Sequence, residues 1–166
     1  MNGYKRQLSC LINKMQALPK KEEIMIAIGS DQGGYELKME ILKHLEARGL
    51  EYKDFGSYDT ASVDYPEYGK KVAHAVADGE CERGILVCGT GIGISITANK
   101  VKGIRAALCT DCFMAEATRL HNDANILALG GRVVGVGLAL KIVDTFLDTP
   151  FSNEERHLRR INAIED

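Results

Sequence analysis

The chain has no apolar run long enough to cross a bilayer, no excess of positive charge and no even set of cysteines. The first absence argues against a membrane partner. The formal net charge of −2 gives no general attraction to nucleic acid. Cys10, Cys81, Cys88, Cys109 and Cys112 are odd in number, and no secretory apolar segment accompanies them. A reduced cytoplasmic setting follows, rather than a disulfide framework. Cys109 and Cys112 form a C-x-x-C, but it has neither a second pair nor a thioredoxin-like context, so a redox or metal role has only the spacing behind it. What is present is ordinary for one globular domain: 166 residues, 45% hydrophobic and 27% charged.

Residues 1–23 differ from the rest. Leu8, Leu11, Ile12, Met15 and Leu18 share one helical stripe, Lys5, Arg6, Lys14, Lys20 and Lys21 make the segment basic, and Pro19 would end a helix. They read as an N-terminal extension without a part in catalysis, and residues 24–166 as the functional domain. From Ile24 the chain alternates. Strands are expected at 24–29, 50–55, 84–88, 105–109 and 126–129. Helices are expected at 35–48, 66–78, 94–101, 111–120, 136–147 and from Asn153 to the end, and a polar loop at 57–65. This alternation predicts an α/β fold: a single-domain, Rossmann-like three-layer sandwich, its five-stranded parallel sheet covered by helices on both faces.

Ligands of such sheets bind beyond the carboxyl ends of the strands. The most informative segment lies there, GILVCGTGIGIS from Gly84 to Ser95. An apolar strand delivers Cys88 to a loop with glycine at Gly89, Gly91 and Gly93, and a helix follows. Converging backbone N–H groups in such a turn bind an anion or a developing oxyanion. A free cysteine is often only a small buried hydrophobe, but a strand end facing this turn also favours thiolate chemistry. A phosphatase cradle would need arginine where Ile94 stands, and a dinucleotide fingerprint would read G-x-G-x-x-G. Ser30, Asp31 and Gln32 follow the first strand, where Asp31 can cap a helix or hold a substrate hydroxyl. Arg132 follows the fifth strand. His121 and Asn122 precede it in a polar H-N-D-A-N run that offers acid–base chemistry. Arg156 and Arg160 stand one helical turn apart and can close on a phosphate or form a solvated basic face.

With these residues the chain resembles the ribose-5-phosphate isomerase B family, which also includes the galactose-6-phosphate isomerase subunits. The resemblance runs from about Ile24 to Ile164. It rests on IGSDQGGYELK (Ile28–Lys38), SVDYPEYGKKVA (Ser62–Ala73), ILVCGTGIGISITANKVKGIRAALC (Ile85–Cys109), HNDANILALGGRVVG (His121–Gly135) and ERHLRRI (Glu155–Ile161). It implies a cofactor-free and metal-free aldose–ketose isomerase of sugar phosphates, with active sites shared across a homodimer; a tetramer is the other assembly left open. Cys88 matches the base that moves a proton between C1 and C2. Thr90 and His121 match the pair that assists ring opening. The backbone of Gly89, Gly91 and Gly93 matches the enediolate pocket. Asp31, Asn122 and Tyr65 match groups on the sugar, and Arg132, Arg156 and Arg160 match phosphate ligands.

The resemblance implies ribose 5-phosphate and ribulose 5-phosphate as substrates. Allose 6-phosphate or galactose 6-phosphate is the alternative, and a non-catalytic sugar-phosphate sensor a third. One galactose-type subunit lacks the cysteine and the other lacks the His-Asn pair; this chain has both. It departs from the family at Gln32, where relatives usually carry histidine near the substrate phosphate. A modest change in phosphate affinity and the loss of one pH-dependent contribution are expected from that departure.

Overall fold

Short apolar segments that alternate with amphipathic ones leave the chain few ways to bury both. A computed structural model of the protein describes residues 24–165, so the expected extension, residues 1–23, lies outside the described residues. Strands β1 (Ile26–Ser30), β2 (Tyr52–Asp54), β3 (Arg83–Cys88), β4 (Ala106–Leu108) and β5 (Ile126–Gly130) alternate with helices. The helices are α1 (Tyr35–Ala47), α2 (Tyr65–Ala77), α3 (Ile92–Ala98), α4 (Cys112–Asn122), α5 (Val136–Asp148) and α6 (Glu155–Glu165). The strands form one parallel sheet in the order β2-β1-β3-β5-β4. The central strands β1, β3 and β5 are buried almost throughout, as apolar runs covered on both faces should be. The edge strands are only three residues long and partly exposed.

Side-chain alternation along the strands divides the core in two. Ile26, Ile28, Ile85, Val87, Leu127 and Leu129 pack against α1 and α5, with Ala115 of α4. Ala27, Leu86, Cys88 and Ile126 pack against α2 and α3. Steps from β1 to β2 and from β4 to β5 run one way along the sheet and put their helices on the first face. Steps from β2 to β3 and from β3 to β4 run the other way and use the second. A uniform crossover hand requires this distribution. It also makes the exit of β3 diverge from the exits of its neighbours β1 and β5, which opens a crevice at the end of β3.

Some element ends differ from expectation. The helix after β3 begins at Ile92 and ends at Ala98, earlier at both ends. Gly91, with φ 78°, turns the chain into it, and the Asn99 side-chain amide donates to the carbonyls of Ser95 and Ala106 beyond its end. The final helix begins at Glu155, because Asn153 stands at φ 56°. Helix α4 runs to Asn122, so His121 and Asn122 belong to its last turn and not to a loop.

Candidate active site

Three loops meet above the carboxyl end of β3. The Asp31 N–H donates to the Val87 carbonyl, and its Oδ1 accepts from the Gly34 N–H at 3.0 Å. Asp31 therefore closes the turn after β1; α1 itself starts from Gly34 without a side-chain cap. The Gly131 and Arg132 N–H groups donate to the Cys88 and Gly89 carbonyls, which joins the β5 loop to the β3 loop. Close approach depends on missing side chains. A Cβ on Gly33 would stand 2.9 Å from the Gly89 nitrogen, and one on Gly131 would stand 2.7 Å from the Gly33 oxygen. Arg132 lies beside Gly89, where a Cβ would be 3.7 Å from its Cδ and Nη1.

Cys88 ends β3 on the face covered by α2 and α3, and it is 4% exposed. Its Sγ accepts from the Gly91 N–H at 3.1 Å, and Thr90 Oγ1 accepts from the Ile92 N–H at 3.3 Å. Gly91 has no substitute, since a Cβ would stand 2.5 Å from Leu108 Cδ1 and its φ is positive. Tyr65 opens α2 and lies on the turn; a Cβ on Gly93 would meet its ring at 2.6 Å. Gln32 Oε1 accepts from the Val63 N–H at 2.9 Å. Cys88, Thr90, Asp31, Gln32, Tyr65, Gly89, Gly91, Gly93 and Arg132 thus belong to one end of the sheet.

The other candidates do not. A helix that follows a parallel strand runs back, so the last turn of α4 lies toward the amino ends of the strands. There the Asn122 carbonyl accepts from Arg105 Nε, and the His121 ring lies 4.6 Å from that of His157. His157 Nδ1 is 2.8 Å from Ser152 Oγ. Burial, then the charge of Arg156, hold the His157 pKa below its ordinary value; His121 and Arg160 act the same way and Glu154 opposes them. Arg156 and Arg160 are exposed on α6, and Arg156 Nε pairs with Glu154 at 2.7 Å. One chain therefore places the candidate residues in two groups at opposite ends of its sheet: the thiol and its turn at one, the histidine and two arginines at the other.

Several supporting residues escaped the sequence reading. Lys38 is completely buried; its ammonium bonds both Asp54 carboxylate oxygens, at 2.8 and 2.6 Å, and the Ser57 carbonyl at 2.7 Å. The signal was available: Lys38 precedes Ile41, Leu42 and Leu45 by three, four and seven residues, on the buried stripe of α1. Arg119, also buried, donates to Asp123 Oδ1, the Ala124 carbonyl and the Thr149 carbonyl. It fixes the exit of α4 where His121 and Asn122 stand. Burial pushes the Cys109 thiol up to about 12, with Asp111 adding to it, which disfavours a thiolate at that cysteine. Among the described residues, no group of three or more metal-ligating side chains occurs.

A doubly wound parallel sheet with a thiol, a glycine turn and a guanidinium at its switch point defines an α/β protein built to bind a small anionic ligand. The family described as Ribose/Galactose Isomerase matches residues 26–164. The chain belongs to that family. Ribose-5-phosphate isomerase B of Escherichia coli is 50% identical over 139 residues, 84% of this chain and 93% of the relative. Galactose-6-phosphate isomerase subunit LacB of Clostridium acetobutylicum is 41% identical over 86% of this chain and 83% of its own length. The solved structure of Clostridium thermocellum ribose-5-phosphate isomerase B superposes with a TM-score of 0.84 at 60% identity, over 86% of this chain and 95% of that one.

Proposed function

We propose that this protein interconverts ribose 5-phosphate and ribulose 5-phosphate, with Cys88 as the base. The observation that carries the reading is the position of Cys88 Sγ, at the carboxyl end of β3 and under the Gly89–Gly93 turn. In this reading the Cys88 thiolate takes the C2 proton of the open-chain aldose, leaving an enediolate. The resulting thiol returns the proton to C1, and the O2 hydroxyl proton passes to O1. A C2 proton beside an aldehyde is too weakly acidic for a bare thiolate in water. Amide donors aimed at the enediolate oxygen each lower that barrier by about 3 kcal/mol. Thr90 and His121 assist ring opening, Asp31, Asn122 and Tyr65 hold the sugar, and Arg132, Arg156 and Arg160 hold the phosphate. Binding at the remote phosphate fixes orientation at the reacting carbons. The chemistry requires neither a metal nor an organic cofactor.

The division into two half-sites supports a homodimer in which each site takes Cys88 from one copy and His121, Asn122, Arg156 and Arg160 from the other. Ile92, Ile96, Phe113 and Met114 expose apolar surface on the elements beside the thiol, as an unpaired interface would. Four free cysteines among the described residues fit the reducing cytoplasm.

Two measurements test the reading. Purified protein is assayed with ribose 5-phosphate and with allose 6-phosphate, beside Cys88→Ala. Ribose 5-phosphate should turn over faster, and the variant should be inactive. Preference for the hexose would keep the mechanism and change the substrate, and near-normal turnover by Cys88→Ala would refute the base. Mixing inactive Cys88→Ala with inactive His121→Ala should restore about a quarter of wild-type activity through mixed dimers. No recovery after subunit exchange would refute the shared site.

A further inference from the structure

The segment between β2 and α2 is fastened at two points. At its start, the Ser30 N–H donates to the Gly56 carbonyl, the Ser57 N–H donates to the Ser30 carbonyl, and Lys38 holds both Asp54 and the Ser57 carbonyl. Residues 58–62 are exposed, and their side-chain hydrogen bonds are short-range, from Tyr58 to the Asp54 carbonyl and from the Ala61 N–H to Asp59 Oδ1. The second fastening is Gln32 Oε1, which accepts the Val63 N–H at 2.9 Å across 31 residues of sequence. Two residues later Tyr65 begins α2 and lies on Gly93. Gln32 immediately follows Asp31, so one loop serves both the sugar-facing carboxylate and the segment that delivers the tyrosine.

We propose that Gln32 is a positioning residue: by accepting from the Val63 N–H it holds Tyr65 on the Gly93 turn, and it acts on the substrate through that segment rather than by touching the phosphate. The role needs an acceptor at the end of the side chain. A carboxamide supplies one at every pH, because it carries no titrating proton in the working range. The proposal rests on the site at Cys88 described above.

The experiment compares wild type, Gln32→Leu and Gln32→Glu by amide hydrogen exchange at Val63 and by ribose 5-phosphate kinetics. Leucine removes the acceptor, so Val63 exchange should accelerate about tenfold, the loss of one hydrogen bond. KM should rise several-fold while kcat changes less, because Tyr65 binds sugar and takes no part in proton transfer. Glutamate keeps an acceptor, so Val63 should stay protected and KM should lie nearer wild type than that of Gln32→Leu. A direct phosphate contact predicts the opposite order, since a carboxylate beside the phosphate would raise KM more than leucine. That order, or unchanged Val63 exchange in Gln32→Leu, would overturn the proposal. A wild type that turns over no sugar phosphate would sink the isomerase reading instead, and Val63 exchange would still decide whether the tether exists.

Discussion

At the carboxyl end of the sheet the candidate site is built around closely approaching backbone; at the amino end it is built from side chains that stand on helices. Gly33, Gly34, Gly89, Gly91 and Gly131 let three loops approach so closely that an added Cβ would collide with main chain at Gly33, Gly34, Gly91 and Gly131. Cys88 is the thiol delivered into that cradle, with Thr90, Asp31, Tyr65 and Arg132 around it. At the other end His121, Asn122, Arg156 and Arg160 stand on two helices, and Arg105 and Arg119 pin the turn that leads from α4 into β5. The contrast teaches where each kind of chemistry is built. Stabilising an enediolate needs donors fixed in place, which short glycine turns provide. In the proposed reading the phosphate takes charge from both ends, from Arg132 beside the turn and from Arg156 and Arg160 on the exposed helix.

The sharpest way to break this division is to remove one member from each end. Cys88→Ala should lower kcat about 10^3-fold while inorganic phosphate still binds within about twofold of wild type. Loss of phosphate binding in that variant would mean the two ends do not divide the work. Arg119→Met tests what holds the side-chain end. It leaves the Ala124 and Thr149 carbonyls without their donor, and it should cost about 2–3 kcal/mol in urea unfolding. An unchanged midpoint would remove Arg119 from the account. Arg160→Ala should raise KM about tenfold, one charge-assisted hydrogen bond, with kcat nearly kept. A fall in kcat alone would move Arg160 to the chemical step.

The smallest effect is expected from His157. Its folded pKa lies below the ordinary value of 6.5. The unfolded chain therefore takes up the proton first, so the stability is complete above about pH 6.5 and declines as the pH falls below that toward the folded value. Urea midpoints measured at pH 7.5 and pH 5.5 should differ less in His157→Asn than in wild type. Equal differences would show that His157 carries none of the acid sensitivity.

The alternation of elements and the glycine turn after β3 were legible in the chain. Buried strands are continuous apolar runs, and glycines mark where backbone must come close. The start of α4, expected at 111, falls where Asp111 Oδ1 accepts from the Met114 N–H at 2.8 Å, because capping is a local event. Asp31 reads from sequence as a helix cap or a hydroxyl ligand; in the fold it closes the turn before α1, which starts from Gly34 without a side-chain cap. The place of His121 was misread: the polar H-N-D-A-N run looked like a loop, while Arg119 and the left-handed Asp123 carry the helix through Asn122. Lys38 showed its burial in its spacing, but nothing local revealed that Asp54 waits to receive its charge.

By itself, then, the sequence determined the parallel sheet, its helices on both faces, the thiol at the end of β3 and the glycine turn beside it. Each follows from periodicity, propensity or sterics within about a dozen neighbouring residues. Only the tertiary structure decided that Gln32 serves Val63, that Lys38 serves Asp54, and that His121 and the α6 arginines lie at the opposite end of the sheet from Cys88. Those are pairings across tens of residues. Their partners are chosen by the path of the folded backbone, which no local pattern encodes.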